Sequence, residues 1–108
     1  MNNHSSENVA KILLDIKAVT LSPKKPFVYV SGIHSPIYTD NRLLMGYPKE
    51  RAEITDYIAD VIKEHGIQAE TIAGTATAGI APAAWIADRL LLPMIFVRKR
   101  LKEYGTGK

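Results

Sequence analysis

Residues 71–80 read Thr-Ile-Ala-Gly-Thr-Ala-Thr-Ala-Gly-Ile, and the fold turns on how this stretch is interpreted. It opens as an apolar strand, crosses Gly74, Thr75, Ala76, Thr77, Ala78 and Gly79, and runs directly into an alanine-rich helical pattern. Small side chains let a ligand approach the backbone, and amides at the start of a helix attract an anion. The turn therefore reads as a phosphate cradle. It reads equally well as a tight strand-to-helix turn whose small residues serve packing, and the stretch alone does not choose. It is not the GxGxxG dinucleotide fingerprint, because Gly74 and Gly79 are its only glycines and stand five apart.

Beyond the turn, Ile80, Ala83, Ala84, Ala87, Leu90 and Leu91 repeat at helical spacing, and Pro82 falls in the first turn, where it is tolerated. Trp85 stands off that stripe and is expected to cover a neighbouring element. Residues 93–97, Pro-Met-Ile-Phe-Val, form a continuous apolar run, the pattern of a strand buried on both faces. A strand within residues 67–73, a helix and this strand predict a parallel pair with a right-handed crossover. Upstream, Ile54, Tyr57, Ile58, Val61 and Ile62 line one face of another helix, with Pro48 at its first position and Gly66 at its end.

The N-terminal third is less regular. Val9, Ile12, Leu13 and Ile16 predict an amphipathic helix over residues 6–17, capped by Ser5 or Ser6. Residues 21–26 form a loop, since they hold Pro23 and Pro26, and Lys24 and Lys25 read as its solvated charges. Residues 27–30 and 37–40 are strand-like and predict a hairpin with a six-residue connection. Ser31, His34 and Ser35 crowd that connection, and Tyr38 offers a flat face to a ring-shaped ligand. His34 lacks a second ligand residue at metal spacing. Asp40-Asn41-Arg42 reads as a salt-bridged strand end.

The 108 residues fit one small domain, 46% hydrophobic and 23% charged, an ordinary balance for a soluble protein. Without cysteine, disulfides and thiolate metal sites are excluded. The first residues lack the pattern of a signal peptide, and the uncharged run of residues 71–87 is broken by Thr, Gly and Pro, so the expectation is a cytoplasmic protein with no membrane partner. Net charge is +3, yet its distribution matters more. Arg98, Lys99, Arg100, Lys102 and Lys108 face Glu103 alone, whereas the preceding 97 residues hold nine cations and ten acids. A nucleic-acid surface would spread its charge and interleave aromatics with it, so no nucleic-acid partner is expected. A basic cluster on a glycine-containing loop suits a compact polyanion such as a diphosphate. Two parallel strands and a hairpin make a poor α/β sheet, so the expectation is the N-terminal part of a larger domain.

Three segments in register carry a family resemblance: residues 27–42 (FVYVSGIHSPIYTDNR), 72–84 (IAGTATAGIAPAA) and 97–107 (VRKRLKEYGTG). In order and spacing they resemble the first half of orotate phosphoribosyltransferase, of the type found in Gram-positive bacteria. The resemblance implies a type I phosphoribosyltransferase fold, a Rossmann-like parallel sheet with an N-terminal hood hairpin, incomplete over residues 1–108. The helix and hood would occupy residues 1–47 and the first part of the α/β core residues 48–108. It further implies a Mg²⁺-dependent homodimer that joins orotate to 5-phosphoribosyl 1-diphosphate (PRPP), giving orotidine 5′-phosphate and pyrophosphate in pyrimidine synthesis. The hood over orotate maps onto Ser31, Gly32, Ser35, Pro36, Ile37 and Tyr38, and the pyrophosphate loop onto Thr75, Ala76, Thr77, Ala78 and Gly79. Arg98, Lys99 and Lys102 match the basic positions of a mobile catalytic loop that reaches the neighbouring subunit's PRPP, with Lys102 and Arg98 as catalytic residues and Tyr104 as a further PRPP contact.

The departures are specific. Tyr104 stands where the family often has His, and Ala78 and Val30 stand where some relatives have Lys. The acidic PRPP signature that grips the ribose phosphate has no match in these residues, so Mg²⁺ is expected to be held through PRPP and residues outside this sequence, with no metal ligand here. The reading from another class is a non-catalytic phosphoribosyltransferase-like module that binds a nucleotide or PRPP and regulates. A polypeptide of these 108 residues is expected to show no turnover; loss of orotate absorbance on addition of PRPP and Mg²⁺ would contradict this.

Overall fold

The computed structural model describes residues 3–99. The chain divides into two compact units, Met1–Ile54 and Thr55–Lys108. The expectations for Arg100, Lys102, Glu103, Tyr104 and Lys108 lie outside the described residues.

The first unit starts with helix α1 (Asn3–Asp15). Its start precedes the expected Ser5 or Ser6 cap, and its end comes through backbone geometry. Lys17 takes φ 63°, its N–H donates to Leu14 O (3.1 Å), and the Ala18 N–H reaches back to Leu13 O (2.9 Å). This is a Schellman closure. Strand β1 (Val19–Leu21) follows, where the sequence reading had its loop begin at residue 21.

The expected hairpin forms differently. Strand β2 (Phe27–Val28) pairs antiparallel with β3 (His34–Ser35), in register Phe27↔Ser35 and Val28↔His34. Gly32 adopts φ 87° and its N–H donates to Tyr29 O (2.8 Å), while the Tyr29 N–H donates to Ile33 O (2.9 Å), so the ladder closes earlier than predicted. Pro36 cannot donate to a ladder and interrupts it. Beyond it, β4 (Ile37–Thr39) pairs antiparallel with β1 instead, and Ser22 N to Pro36 O and Asp40 N to Ala18 O, each 2.7 Å, extend that ribbon at its two ends. A 3-10 helix (Asn41–Gly46) follows. Asp40 caps it, accepting the Arg42 N–H at Oδ1 (3.1 Å), while the Arg42 guanidinium forks onto both carboxylate oxygens at 2.8 and 3.0 Å. The salt-bridged strand end read from the sequence is what forms. Among the described residues of this unit, Ile16, Ala18 and Leu44 are the buried apolar ones.

Helix α2 (Pro48–Glu64) begins at Pro48 as expected, and the division between the units falls within it. It closes on Gly66, at φ 63°, with the Ile67 N–H bonded to Ile62 O (3.1 Å). In the second unit, β5 (Ile72–Thr75), α3 (Ile80–Leu90) and β6 (Met94–Val97) form the anticipated strand–helix–strand, with β5 and β6 parallel and Thr75 opposite Val97. Strand β5 starts within the expected residues 67–73 and runs on two residues beyond them, to Thr75. Helix α3 closes on Leu91 at φ 56°, again by a Schellman contact, Leu92 N to Ala87 O at 2.9 Å. Thr55, Ala59, Ala83 and Ala87 are buried, and Asp56 on α2 pairs with Arg89 on α3. The expectation that β6 is buried on both faces is corrected: Ile95, Phe96 and Val97 are 55%, 51% and 51% exposed. Among the described residues β6 has one strand partner and covers too little of itself. No helix among them is long and apolar enough to cross a membrane.

Two measurements check these local rules. Gly66→Ala places a Cβ in a left-handed conformation and is expected to lower unfolding stability by about 1 kcal/mol in urea denaturation, although no atom lies within 4 Å of that Cβ. The Arg42 hydrogen bond holds the Asp40 carboxyl below its ordinary 3.8. A depressed folded-state value stabilises above the unfolded-state pKa and is lost as pH falls through the folded one. Carboxylate NMR should therefore show Asp40 titrating below 3.8, and Arg42→Gln should return it to the ordinary range.

Candidate functional site

In an open parallel sheet, ligands collect outside the carboxyl ends of the strands. In the second unit those ends are Thr75 of β5 and Val97 of β6, which stand opposite each other. The connection from β5 to α3, residues 76–79, lies there, as the turn signals of the sequence required.

The connection is pinned at both ends. The Ala76 N–H donates to Val97 O (2.8 Å), tying its first residue to the end of β6. The Gly79 N–H donates to Thr75 O (2.8 Å), and the Ile80 N–H to Thr77 O (3.2 Å), folding the last residues back onto the strand. The Ala76–Thr77 peptide is cis. Between these anchors the N–H groups of Thr77 and Ala78 have no acceptor among the described residues. Both residues are exposed. Two adjacent unpaired amides at the entry to an 11-residue helix can donate to an anion.

Both glycines are required by close approach. A Cβ on Gly74 would lie 2.5 Å from Gly79 O and 2.7 Å from Ala83 Cβ. A Cβ on Gly79 would lie 2.6 Å from Thr75 O and 2.8 Å from Thr75 N. Each glycine thus makes room for backbone from the other end of the turn. An open cavity of about 450 Å³ is lined by residues 72–79 with Pro82, Ala83 and Ile86, within the usual size of a small-ligand site. Among the described residues no charged side chain lines it. Binding energy for an anion must come from amides, the Thr75 and Thr77 hydroxyls, and cations brought from elsewhere.

Arg98 and Lys99 are the candidate cations among the described residues. They follow Val97 directly, whose carbonyl pins the loop, so the chain delivers them to the edge where residues 75–79 lie. Neither lines the cavity, and both are exposed. The Arg98 guanidinium carbon rests 5.6 Å from the centroid of the Phe96 ring, a cation–π contact. Sequence reasoning missed this use of Phe96; the available signal was an aromatic two residues before an arginine on a strand, which places both on one face.

In the first unit, Ser31 and Gly32 sit in the turn between β2 and β3, and Ser35 lies on β3. The Ser35 hydroxyl accepts the Ile37 N–H (3.1 Å) and lies 3.0 Å from Ile37 O, to which it donates. Ile37 O also accepts the Tyr29 hydroxyl, and Pro36 O is taken by Ser22. Tyr38, 44% exposed, stands at 5.7 Å from Phe27 and 6.4 Å from Tyr29, ring centroid to centroid. Ser31, Gly32 and Ser35 therefore belong to the β2–β3 ribbon, Ile37 and Tyr38 to the β1–β4 ribbon, and Pro36 stands between the two, with the Tyr38 ring beside Phe27 and Tyr29. Among the described residues no three His, Asp or Glu side chains come together in a group that could hold a metal ion.

No protein-family model matches the chain. Solved structures do. The chain superposes on an orotate phosphoribosyltransferase from Aeropyrum pernix with a TM-score of 0.74 and 34% identity, covering 91% of this chain and 54% of that one. It superposes on the UMP synthase of Leishmania donovani with a TM-score of 0.75 and 28% identity, covering 93% and 21%. The α/β arrangement is thus part of a type I phosphoribosyltransferase fold. In sequence, the orotate phosphoribosyltransferase of Enterococcus faecalis is 54% identical over 102 residues, which are 94% of this chain and 49% of that protein. Over nearly its whole length the chain is similar to an N-terminal part of orotate phosphoribosyltransferases, and it spans about half the length of the curated relatives it matches.

Proposed function

We propose that this chain carries the orotate and diphosphate subsites of an orotate phosphoribosyltransferase, a pentosyltransferase that moves the 5-phosphoribosyl group from PRPP to orotate in pyrimidine synthesis. The observation that supports it best is the pair of unbonded amides at Thr77 and Ala78, beside the strand end that leads into Arg98 and Lys99. Residues 1–108 are then one partial phosphoribosyltransferase domain, with the helix and hood in residues 1–47 and the first part of the core in residues 48–108.

The chemistry assigns the parts. Breaking the C1–O bond of PRPP leaves positive charge on the ribose and negative charge on the departing pyrophosphate. The loop of Thr75, Ala76, Thr77, Ala78 and Gly79 receives that pyrophosphate through its N–H groups and hydroxyls. Arg98 forks onto phosphate oxygens, Lys99 and Lys102 act as point charges, Tyr104 donates a hydrogen bond, and Lys102 supplies a proton. Donors fixed before the reaction favour the transition state over bound substrate. The segment that holds Ser31, Gly32, Ser35, Pro36, Ile37 and Tyr38 roofs the orotate ring. Orotate is already an anion, so no strong general base is required. Mg²⁺ would be held through PRPP and residues outside this sequence, where it would offset charge on the diphosphate. The working protein is a cytoplasmic homodimer whose basic loop reaches the neighbouring subunit. A regulatory module that only binds nucleotide leaves the hood without a task.

The test is a chimera in which these residues replace the matching half of the Enterococcus faecalis relative. It is expected to consume orotate in the presence of PRPP and Mg²⁺. Lys102→Ala in the chimera should lower kcat by ~10²–10³ while changing orotate binding little. A folded chimera that binds PRPP without consuming orotate would favour the regulatory reading, and unchanged turnover in Lys102→Ala would remove the loop from the mechanism.

A further inference from the structure

Within the second unit, one contact governs where the loop amides stand, and it involves a residue with no polar group. Ala83 lies one turn into α3 and is 5% exposed. Its N–H donates to Gly79 O (3.1 Å), the oxygen that occupies the space beside Gly74. Its methyl occupies the rest of that space, 2.7 Å from where a Cβ on Gly74 would be. Strand, loop and helix therefore converge on one point where no further atom fits. We infer that Ala83 is a positioning residue for the anion loop: its methyl sets how closely α3 approaches β5, and through Gly79 it fixes the direction of the Thr77 and Ala78 amides.

The steps are short. Ala83 holds Gly79 O by its own N–H, and Gly79 in turn holds Thr75 O by its N–H (2.8 Å). The other end of the loop is fixed independently, through Ala76 N–H to Val97 O. A larger side chain at residue 83 pushes α3 and Gly79 away from Gly74 while Ala76 stays with β6. The two residues between those anchors must then rotate. Packed interiors transmit such displacements because they hold no free volume to absorb them.

Because this inference rests on reading the loop as a diphosphate site, the experiment separates the two. The ¹⁵N-labelled 108-residue chain is titrated with inorganic pyrophosphate and followed by its amide resonances. The unsubstituted chain is expected to show saturable shifts at Thr77 and Ala78. Ala83→Val is expected to move those two resonances before pyrophosphate is added and to raise the Kd on the order of tenfold. Ala83→Ser, which adds one atom, should shift both readouts less and in the same direction. Ala87→Val is the control: Ala87 is 4% exposed on the same helix, outside the cavity lining, and overpacking there should lower the melting temperature and leave the Kd unchanged. Absence of saturable shifts at Thr77 and Ala78 in the unsubstituted chain would overturn the diphosphate reading and this inference with it. Saturable shifts there, with the same Kd in both Ala83 variants or an equal loss in Ala87→Val, would overturn the positioning role alone.

Discussion

The carbonyl of Gly79 sits where a side chain on Gly74 would have to be, and the rest of the second unit follows from that overlap. A strand can turn straight into a helix across four residues only if its last positions and the first turn of the helix share nearly the same space. Two missing side chains make this sterically feasible, and hydrogen bonds from Ala76, Gly79 and Ile80 hold it. All three N–H groups are thereby occupied with the protein's own carbonyls. What remains are the N–H groups of Thr77 and Ala78, which have no acceptor among the described residues.

Much of this was legible in the residues. The spacing of Gly74 and Gly79, the apolar run before them and the alanine stripe after them specify a strand, a tight turn and a helix, and the parallel pairing of β5 with β6 follows from chain length alone. Pro48 and Gly66 marked the two ends of α2 correctly because each acts through its own backbone. The same closure at Lys17 and Leu91 was illegible: there the left-handed residue is not glycine, and the surrounding hydrogen bonds impose a conformation that the side chain does not advertise. The hairpin erred for a related reason. Phe27, Tyr29, Ile37 and Tyr38 all favour extended chain, but propensity says nothing about partners. The turn at Gly32 and the break at Pro36 decide those, assigning β4 to β1.

Site residues divided along the same line. The tight turn at positions 75–79 was readable because glycine signals main-chain geometry. Arg98 and Lys99 were readable as charge, and their register opposite the loop came from β5 and β6 pairing as predicted. Ala83 and Phe96 were not singled out, since an alanine on a helix stripe and a phenylalanine on a strand are the ordinary materials of a core. Their significance lies in what stands within a few ångströms of them.

A recognition surface made of amide N–H groups has a consequence for mutational mapping. Scanning by alanine removes side chains and leaves every peptide group in place, and two of the four residues between Gly74 and Gly79 are alanine already. Such a scan would report this segment as silent, however much a bound oxyanion depends on it. Amide-to-ester replacement at Thr77 and Ala78, which deletes the N–H and keeps the side chain, is the chemistry that can interrogate it.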